Sequence, residues 1–217
     1  MQTVSCIAGR LKYYWKRRGL LATLQFLGSR LFRHQVTRVY QADLQQPCPP
    51  VEWLEGERLL VVGADNLESD LTPQVRAFLG GAVYEFLAGI RNGDRLFVIA
   101  DQDECLHRGY IIFSSRAKKL IGENGNAPLI GYCYTAAAAR GRGLYRRALL
   151  GEMRYLQDRG YKRVVIDTHP ANLASRKGIE AAGFQFARTV SVWIVLNLLA
   201  LQRTETRHDT HWRMLSL

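Results

Sequence analysis

Residues 129–150 read LIGYCYTAAAARGRGLYRRALL. An apolar and aromatic run ends in small residues, two glycines alternate with arginines, and apolar side chains then recur at helical spacing. A strand that feeds a helix through so bare a turn needs a sheet to cover that helix, which points to a mixed α/β fold. The first N–H groups of a helix have no partner within it, and their partial positive charge favours an anion. Glycines let the backbone approach such an anion and adopt φ > 0 where needed. Arg140 and Arg142 add forked donors suited to phosphate. The turn is therefore read as a phosphate seat, against the plainer alternative of a strand-to-helix turn with solvated arginines. It is not a P-loop, because no Lys-Ser/Thr follows the second glycine, and GxGxxG is absent.

Other elements flank this turn. RLLVVGA (58–64), RLFVIAD (95–101), GYIIFSS (109–115), LIGYCYTA (129–136) and VVIDTH (164–169) read as strands. Residues 72–90 read as one or two helices, with Thr72 as N-cap and Pro73 at the first helical position. A second helical stretch runs from the glycine turn to about Arg159, and 171–184 form a third that Gly183 closes. FQFARTVSVWIVLNLLAL (184–201) is strand-rich and apolar. The expected fold is α/β (α+β) around a central mixed sheet, over residues 51–217.

Residues 1–50 read as an arm. Eight of the net +11 charges fall within residues 1–42, which hold no Asp or Glu. Leu20, Leu21, Leu24, Leu27, Leu31 and Phe32 make an amphipathic helical stripe over 19–34, and QQPCPP (45–50) breaks regular structure. The stripe suits packing on the domain or on a partner copy in a homodimer. With Tyr13, Tyr14 and Trp15 beside the basic residues, residues 1–44 also suit peripheral contact with an anionic membrane. An acidic carrier protein is a third partner, and nucleic acid ranks last.

The chain lacks an apolar run of the roughly 18 residues that cross a bilayer, and its start does not follow a signal-peptide plan. The expected location is cytoplasmic, with the inner face of the membrane open to the arm. Cys6, Cys48, Cys105 and Cys133 show no paired CxxC spacing and are expected as reduced thiols. His208 and His211 lack a third ligand, so no metal is expected.

Arg140-Gly141-Arg142-Gly143-Leu144-Tyr145 resembles the acyl-CoA-binding motif Q/R-x-x-G-x-G/A of the GNAT N-acyltransferase superfamily. The segment from Asn172 through Ser175 to Gly183-Phe184 is similar to that superfamily's next motif, at the spacing the family shows. The resemblance covers about 75 residues well and the region 95–135 loosely. It implies acetyl-CoA or another acyl thioester as cosubstrate and a small-molecule amine as acceptor, with direct attack on the thioester. It also implies that strands 129–136 and 164–169 splay apart to admit pantetheine, whose amides would pair with the backbone of Cys133 and Thr135. The amides from Gly141 through Leu144 to Tyr145 would hold the diphosphate, and Asn172 and Ser175 would face it from the other side. Two residues depart from the pattern. Tyr145 stands where the family has a small residue, and Ile179 stands where many members carry a proton-donating tyrosine.

Acyl transfer requires a polarised carbonyl, a neutral amine and a departing thiolate. The Tyr134 backbone N–H is the expected polarising donor. With a thiol pKa of about 8.5, thiolate is a fair leaving group without a strong acid, which makes Ile179 tolerable. Strand 129–136 has no carboxylate, so the base candidates are His169, Tyr132 or Tyr134 through water, and Asp167. The alternatives are transfer of a long acyl chain from acyl-carrier protein, and a catalytically silent acyl-CoA-binding module attached through its arm.

Overall fold

The computed structural model describes residues 31–80, 83–102, 104–113, 116–196 and 198–216, so most of the arm, its helical stripe up to residue 30 and Cys6 included, lies outside the described residues. In chain order the elements are β1 (Phe32–Asp43), β2 (Glu57–Val62), α1 (Leu67–Asp70), α2 (Pro73–Leu79), α3 (Val83–Arg91), β3 (Arg95–Asp101) and β4 (Glu104–Ile112). They continue with α4 (Arg116–Leu120), β5 (Leu129–Thr135), a 3-10 turn (Ala137–Ala139), α5 (Leu144–Gln157), β6 (Arg163–Thr168), α6 (Leu173–Ala181), β7 (Gln185–Val195), β8 (Leu199–Glu205) and β9 (Thr210–Ser216). The described residues divide into two compact units, 37–189 and the pair of segments 31–36 and 190–216.

In the first unit the strand order is β2-β3-β4-β5-β6-β1-β7. Neighbours β2 to β5 pair antiparallel, β5 and β6 run parallel, and β6 pairs antiparallel with β1. This is a mixed sheet in a mixed α/β fold, as the sequence pattern implied. The residues from Phe32 to Asp43, assigned to the arm from sequence, instead form β1. Val39, Tyr40 and Ala42 are buried there, and Arg38 to Asp43 register against Thr168 to Arg163.

Local chemistry starts α2 where the sequence indicated. Thr72 Oγ1 accepts the Val75 N–H at 3.3 Å with Pro73 next to it, and α2 ends at Gly80 with φ 59°. Asn172 Oδ1 accepts the Ser175 N–H at 3.1 Å and starts α6. Strand β4 begins five residues before the expected Gly109, because pairing with β3 resumes at Asp101↔Glu104 after a bulge at Ile99/Ala100.

The core of this unit gathers Phe97, Ile111, Ile130, Leu149, Leu150, Leu156, Ile166 and Phe184 between α5, α6 and the sheet. Each such side chain contributes about 1.5–3 kcal/mol by leaving water. Leu149→Ala at the centre of that face would cost about 2–5 kcal/mol. Glu57, whose carboxylate is fully buried at the start of β2, holds the turn before α5 by ion pairs to Arg147 at 2.8 Å and Arg142 at 3.2 Å.

In the second unit β8 and β9 form a hairpin from Leu199↔Ser216 to Glu205↔Thr210. His208 precedes β9 and His211 lies on it. Trp193 stacks on His34 at 4.6 Å and on Trp212 at 5.6 Å. Among the described residues, no helix is long and apolar enough to cross a membrane, and no group of three His, Cys, Asp or Glu could hold a metal ion.

Candidate functional site

Two backbone irregularities make the site. Between the pairs Arg108↔Tyr134 and Tyr110↔Gly131, Tyr132 and Cys133 face the single residue Gly109, so β5 carries a bulge. Tyr132 takes φ 53°, which a bulky residue adopts only under local constraint. On its other edge, β5 pairs with β6 only at Leu129↔Val165 and Ile130↔Ile166 among the described residues. Beyond Ile130 the two strands part, and the edge of 131–135 is open.

The glycine turn closes the end of this opening. Gly141 and Gly143 have φ 81° and 71°, and the space where a side chain would stand is free for 4 Å at both. Gly143 is the N-cap of α5 and offers no side-chain cap. The helix's first main-chain bond in this turn is Arg147 N–H to Gly143 O at 3.2 Å. The amides of Leu144, Tyr145 and Arg146 are thus the unbonded group at a helix start.

Parted strands and bare turn enclose a cleft of about 510 Å³. Cys133, Tyr134, Thr135, Arg140, Gly141, Gly143, Leu144, Tyr145, Asn172 and Ser175 all line it. These residues lie up to 42 positions apart in the chain, and the fold brings them together. Arg142 does not join them. Its guanidinium turns to the buried Glu57 carboxylate, with Asp101 at 3.9 Å, so its charge stabilises the scaffold. Arg146 stands on the cleft wall instead, its Nε donating to Ala181 O at 2.9 Å.

His169 is also apart from the cleft-lining residues. It is exposed at the end of β6, and its Nδ1 accepts the Ala171 N–H at 3.2 Å. Asp167 accepts a hydrogen bond from the Thr37 hydroxyl at 2.7 Å, and burial pushes its carboxyl up. Ile179 is fully buried in the core.

Two buried titratable groups under the cleft, His107 and Glu152, escaped the sequence reading. His107 lines the floor, its Nδ1 2.8 Å from Thr135 Oγ1 and its Nε2 buried without a partner. Burial and the neighbouring Arg108 lower its pKa to about 4, so the ring is neutral at pH 7. Tyr145 reaches back toward Ser175 and Cys133 within hydrogen-bonding range, and burial keeps its hydroxyl protonated. A Cβ on Gly178 would sit 2.5 Å from the Tyr145 ring, so the glycine in α6 makes room for it. Burial likewise raises the Cys133 thiol well above its usual range, with Glu152 and Asp167 adding to the effect. Glu152 on α5 is fully buried with neither oxygen hydrogen-bonded, and burial lifts its pKa to about 8. Any side chain on Gly109 would collide with that carboxyl. Sequence offers one signal for Glu152: it stands at an apolar position of the α5 stripe.

A sequence model described as an acetyltransferase (GNAT) domain matches residues 73–185. No curated protein sequence matches the chain. Among solved structures, a Drosophila protein is 14% identical with a TM-score of 0.53, over 84% of this chain and 58% of its own. A GNAT-family protein from Novosphingobium aromaticivorans is 14% identical with a TM-score of 0.50, over 74% of this chain and 65% of its own. An acetyltransferase of the GNAT family from Colwellia psychrerythraea is 18% identical with a TM-score of 0.49, over 78% of this chain and 61% of its own. The chain thus spans less than two thirds of the length of each, and for the Drosophila and Novosphingobium proteins the likeness at these identities is one of fold.

Proposed function

The chain belongs to the GNAT acetyltransferase family, and from that we propose that it transfers an acyl group, acetyl in the first instance, from coenzyme A to the nitrogen of a small-molecule amine. The observation that carries this reading is the meeting of an uncapped helix start, opened by two left-handed glycines, with a strand edge left unpaired. An acyl thioester of this kind is long, carries a diphosphate at one end and peptide-like amides along its middle. The cleft matches both demands.

The residues present fit such a donor. The amides of Leu144, Tyr145 and Arg146 would hold the diphosphate, with Gly141 and Gly143 leaving room and Arg140 and Arg146 adding positive charge. Main-chain groups of Cys133 and Thr135, on the open edge of β5, would pair with the pantetheine amides as an added strand would. Asn172 is committed through its side chain to capping α6, so its role is to place Ser175 and the helix start against the cleft. The donor supplies an activated acyl carbon on a leaving thiol. The Tyr134 N–H, beside the bulge, polarises the carbonyl. The amine reaches that carbon from the side of β5 bearing the exposed Tyr132 and Tyr134 rings. The new C–N bond forms as the C–S bond breaks, and the amine proton leaves to water, relayed through Tyr134 at the cleft.

One observation favours a second reading, a silent acyl-CoA-binding module. Among the described residues, no Asp or Glu lines the cleft. Calorimetry with acetyl-CoA followed by a thiol-release assay over a panel of amines separates the two. Binding with amine-dependent release of free thiol is expected. Binding without release from any amine would establish the module, and no binding at all would defeat both. The basic arm, 1–50 as bounded by the sequence, stays a proposed contact for a membrane, a carrier protein or a second copy. A long-chain carrier-linked donor would require it, and the same assay with acyl-carrier protein tests that. Cytoplasmic placement is part of the same proposal.

A further inference from the structure

Arg108 lies on β4 directly across from Tyr134, the residue that lines the donor cleft at the bulge. Its guanidinium carbon stands 5.2 Å from the Tyr134 ring, 5.3 Å from Phe86 and 5.9 Å from Phe78. Tyr132 closes the same aromatic wall, edge-on to Phe86 at 5.6 Å, and is 59% exposed. Cation–ring attraction alone is a weak substitute for a counter-ion. Burial pulls the Arg108 pKa down, so the charge is held at a cost.

The donors of Arg108 are underused. Nη1 reaches the Phe78 and Leu79 carbonyls at the end of α2 at 3.4 and 3.3 Å, the outer limit of a useful bond. Nε is buried with no partner. Four other arginines of this unit have carboxylate partners. Arg142 and Arg147 share Glu57, and Arg163 and Arg188 share Glu123, at 2.8 to 3.6 Å. Among the described side chains, which do not include Glu85, no carboxylate lies within ion-pair distance of Arg108. A half-buried guanidinium with a free Nε donor, in an aromatic recess beside the reacting position, is built to receive an anion.

Resting on the transferase reading above, we propose that Arg108 selects the acceptor: the amine substrate carries a carboxylate or phosphate, which Arg108 binds while the aromatic wall of Phe78, Phe86, Tyr132 and Tyr134 covers the rest of the molecule. Arg108 is not one of the residues lining the donor cleft, and Tyr134 stands between, so the anion belongs to the molecule approaching from the other side of β5. Acceptors of this class are amino acids and aminoalkyl phosphates.

The test compares matched pairs with acetyl-CoA: glycine against glycinamide, 4-aminobutyrate against butylamine, phosphoethanolamine against ethanolamine. For at least one pair, KM is expected to favour the anionic member on the order of 10- to 100-fold. Arg108→Gln removes that ratio and Arg108→Lys keeps part of it, while coenzyme A affinity and the melting temperature of Arg108→Lys stay close to wild type. Equal KM within every pair, or a ratio that survives Arg108→Gln, overturns the proposal. So does a preference that follows a carboxylate on the acyl group, seen with succinyl-CoA and neutral amines. If no amine of either set releases thiol, the transferase reading has failed separately. Calorimetric titration of the coenzyme-A-loaded protein with 4-aminobutyrate and with phosphoethanolamine then decides the site. Binding of either that Arg108→Gln abolishes supports it, and absence of binding sinks it.

Discussion

In the unit spanning 37–189, Phe97, Ile130, Leu149 and Ile166 are at most 1% exposed, whereas in the unit made of 31–36 and 190–216, Leu196, Leu198, Trp212 and Met214 are 54% to 74% exposed. The first unit surrounds its charged groups with close packing, and two of its buried polar side chains, His107 and Glu152, sit beneath the cleft. The second leaves large apolar side chains in water along a two-stranded hairpin. The contrast separates two demands. Holding a donor in a fixed pose needs a rigid, dry frame in which an unpaired group such as Glu152 is tolerated. A hairpin face has no such need, and its side chains are free of the constraint that a void or a stray charge imposes inside a core.

This contrast can be broken at its strongest point by Gly143→Asp. The substitution forces a side chain onto a left-handed backbone and sets a carboxylate where a diphosphate is expected. Acetyl-CoA affinity should fall by about 100-fold or more, read by calorimetry. Unchanged affinity would remove the phosphate seat from 141–146. Next in size is Glu57→Ala, which strands Arg142 and Arg147 around a buried site. A loss of about 3 kcal/mol is expected in urea unfolding, and a loss below about 1 kcal/mol would show that the pairs merely decorate the surface.

Glu152→Gln sharpens the comparison through pH. Burial raises the folded-state pKa of Glu152 to about 8, from an ordinary value near 4.5. Between those values the folded protein holds a proton that the unfolded chain releases, so wild-type stability from this group is full below the lower pKa and falls as pH rises toward 8. The Gln variant lacks that slope. Its melting temperature relative to wild type should therefore climb from pH 5 to pH 8, and a constant difference would mean that Glu152 is solvated or paired. The smallest effect is expected in the second unit. Leu198→Asp should move stability by no more than about 0.5 kcal/mol and leave acetyl-CoA affinity alone. A larger drop in unfolding free energy would show that this apolar face is already covered.

What the sequence disclosed was local. The Thr72-Pro73 start of α2 and the glycine turn before α5 each lie within a few residues, where capping and backbone chemistry act directly. What it concealed depends on distant partners. Strand β1 was hidden because HQVTRVYQ reads as a polar, basic stretch until β6 supplies the other half of its ladder, more than 100 residues away. The direction of Arg142 was hidden for the same reason, since Glu57 lies 85 residues before it. His107, Glu152 and Arg108 look like ordinary members of a strand and a helix, and only burial without a partner distinguishes them. Tyr145 stood out as the wrong size for its turn, yet its accommodation by Gly178 required knowing that α5 and α6 meet there.

The half-zipped seam between β5 and β6 has a thermodynamic side as well. Main-chain donors and acceptors along 131–135 that a completed sheet would satisfy are instead left to water. Whatever molecule completes the ladder does for the protein what a missing strand would do, and it binds the folded chain alone. Saturating donor should therefore act as a folding ligand, lifting the melting temperature with the logarithm of its concentration.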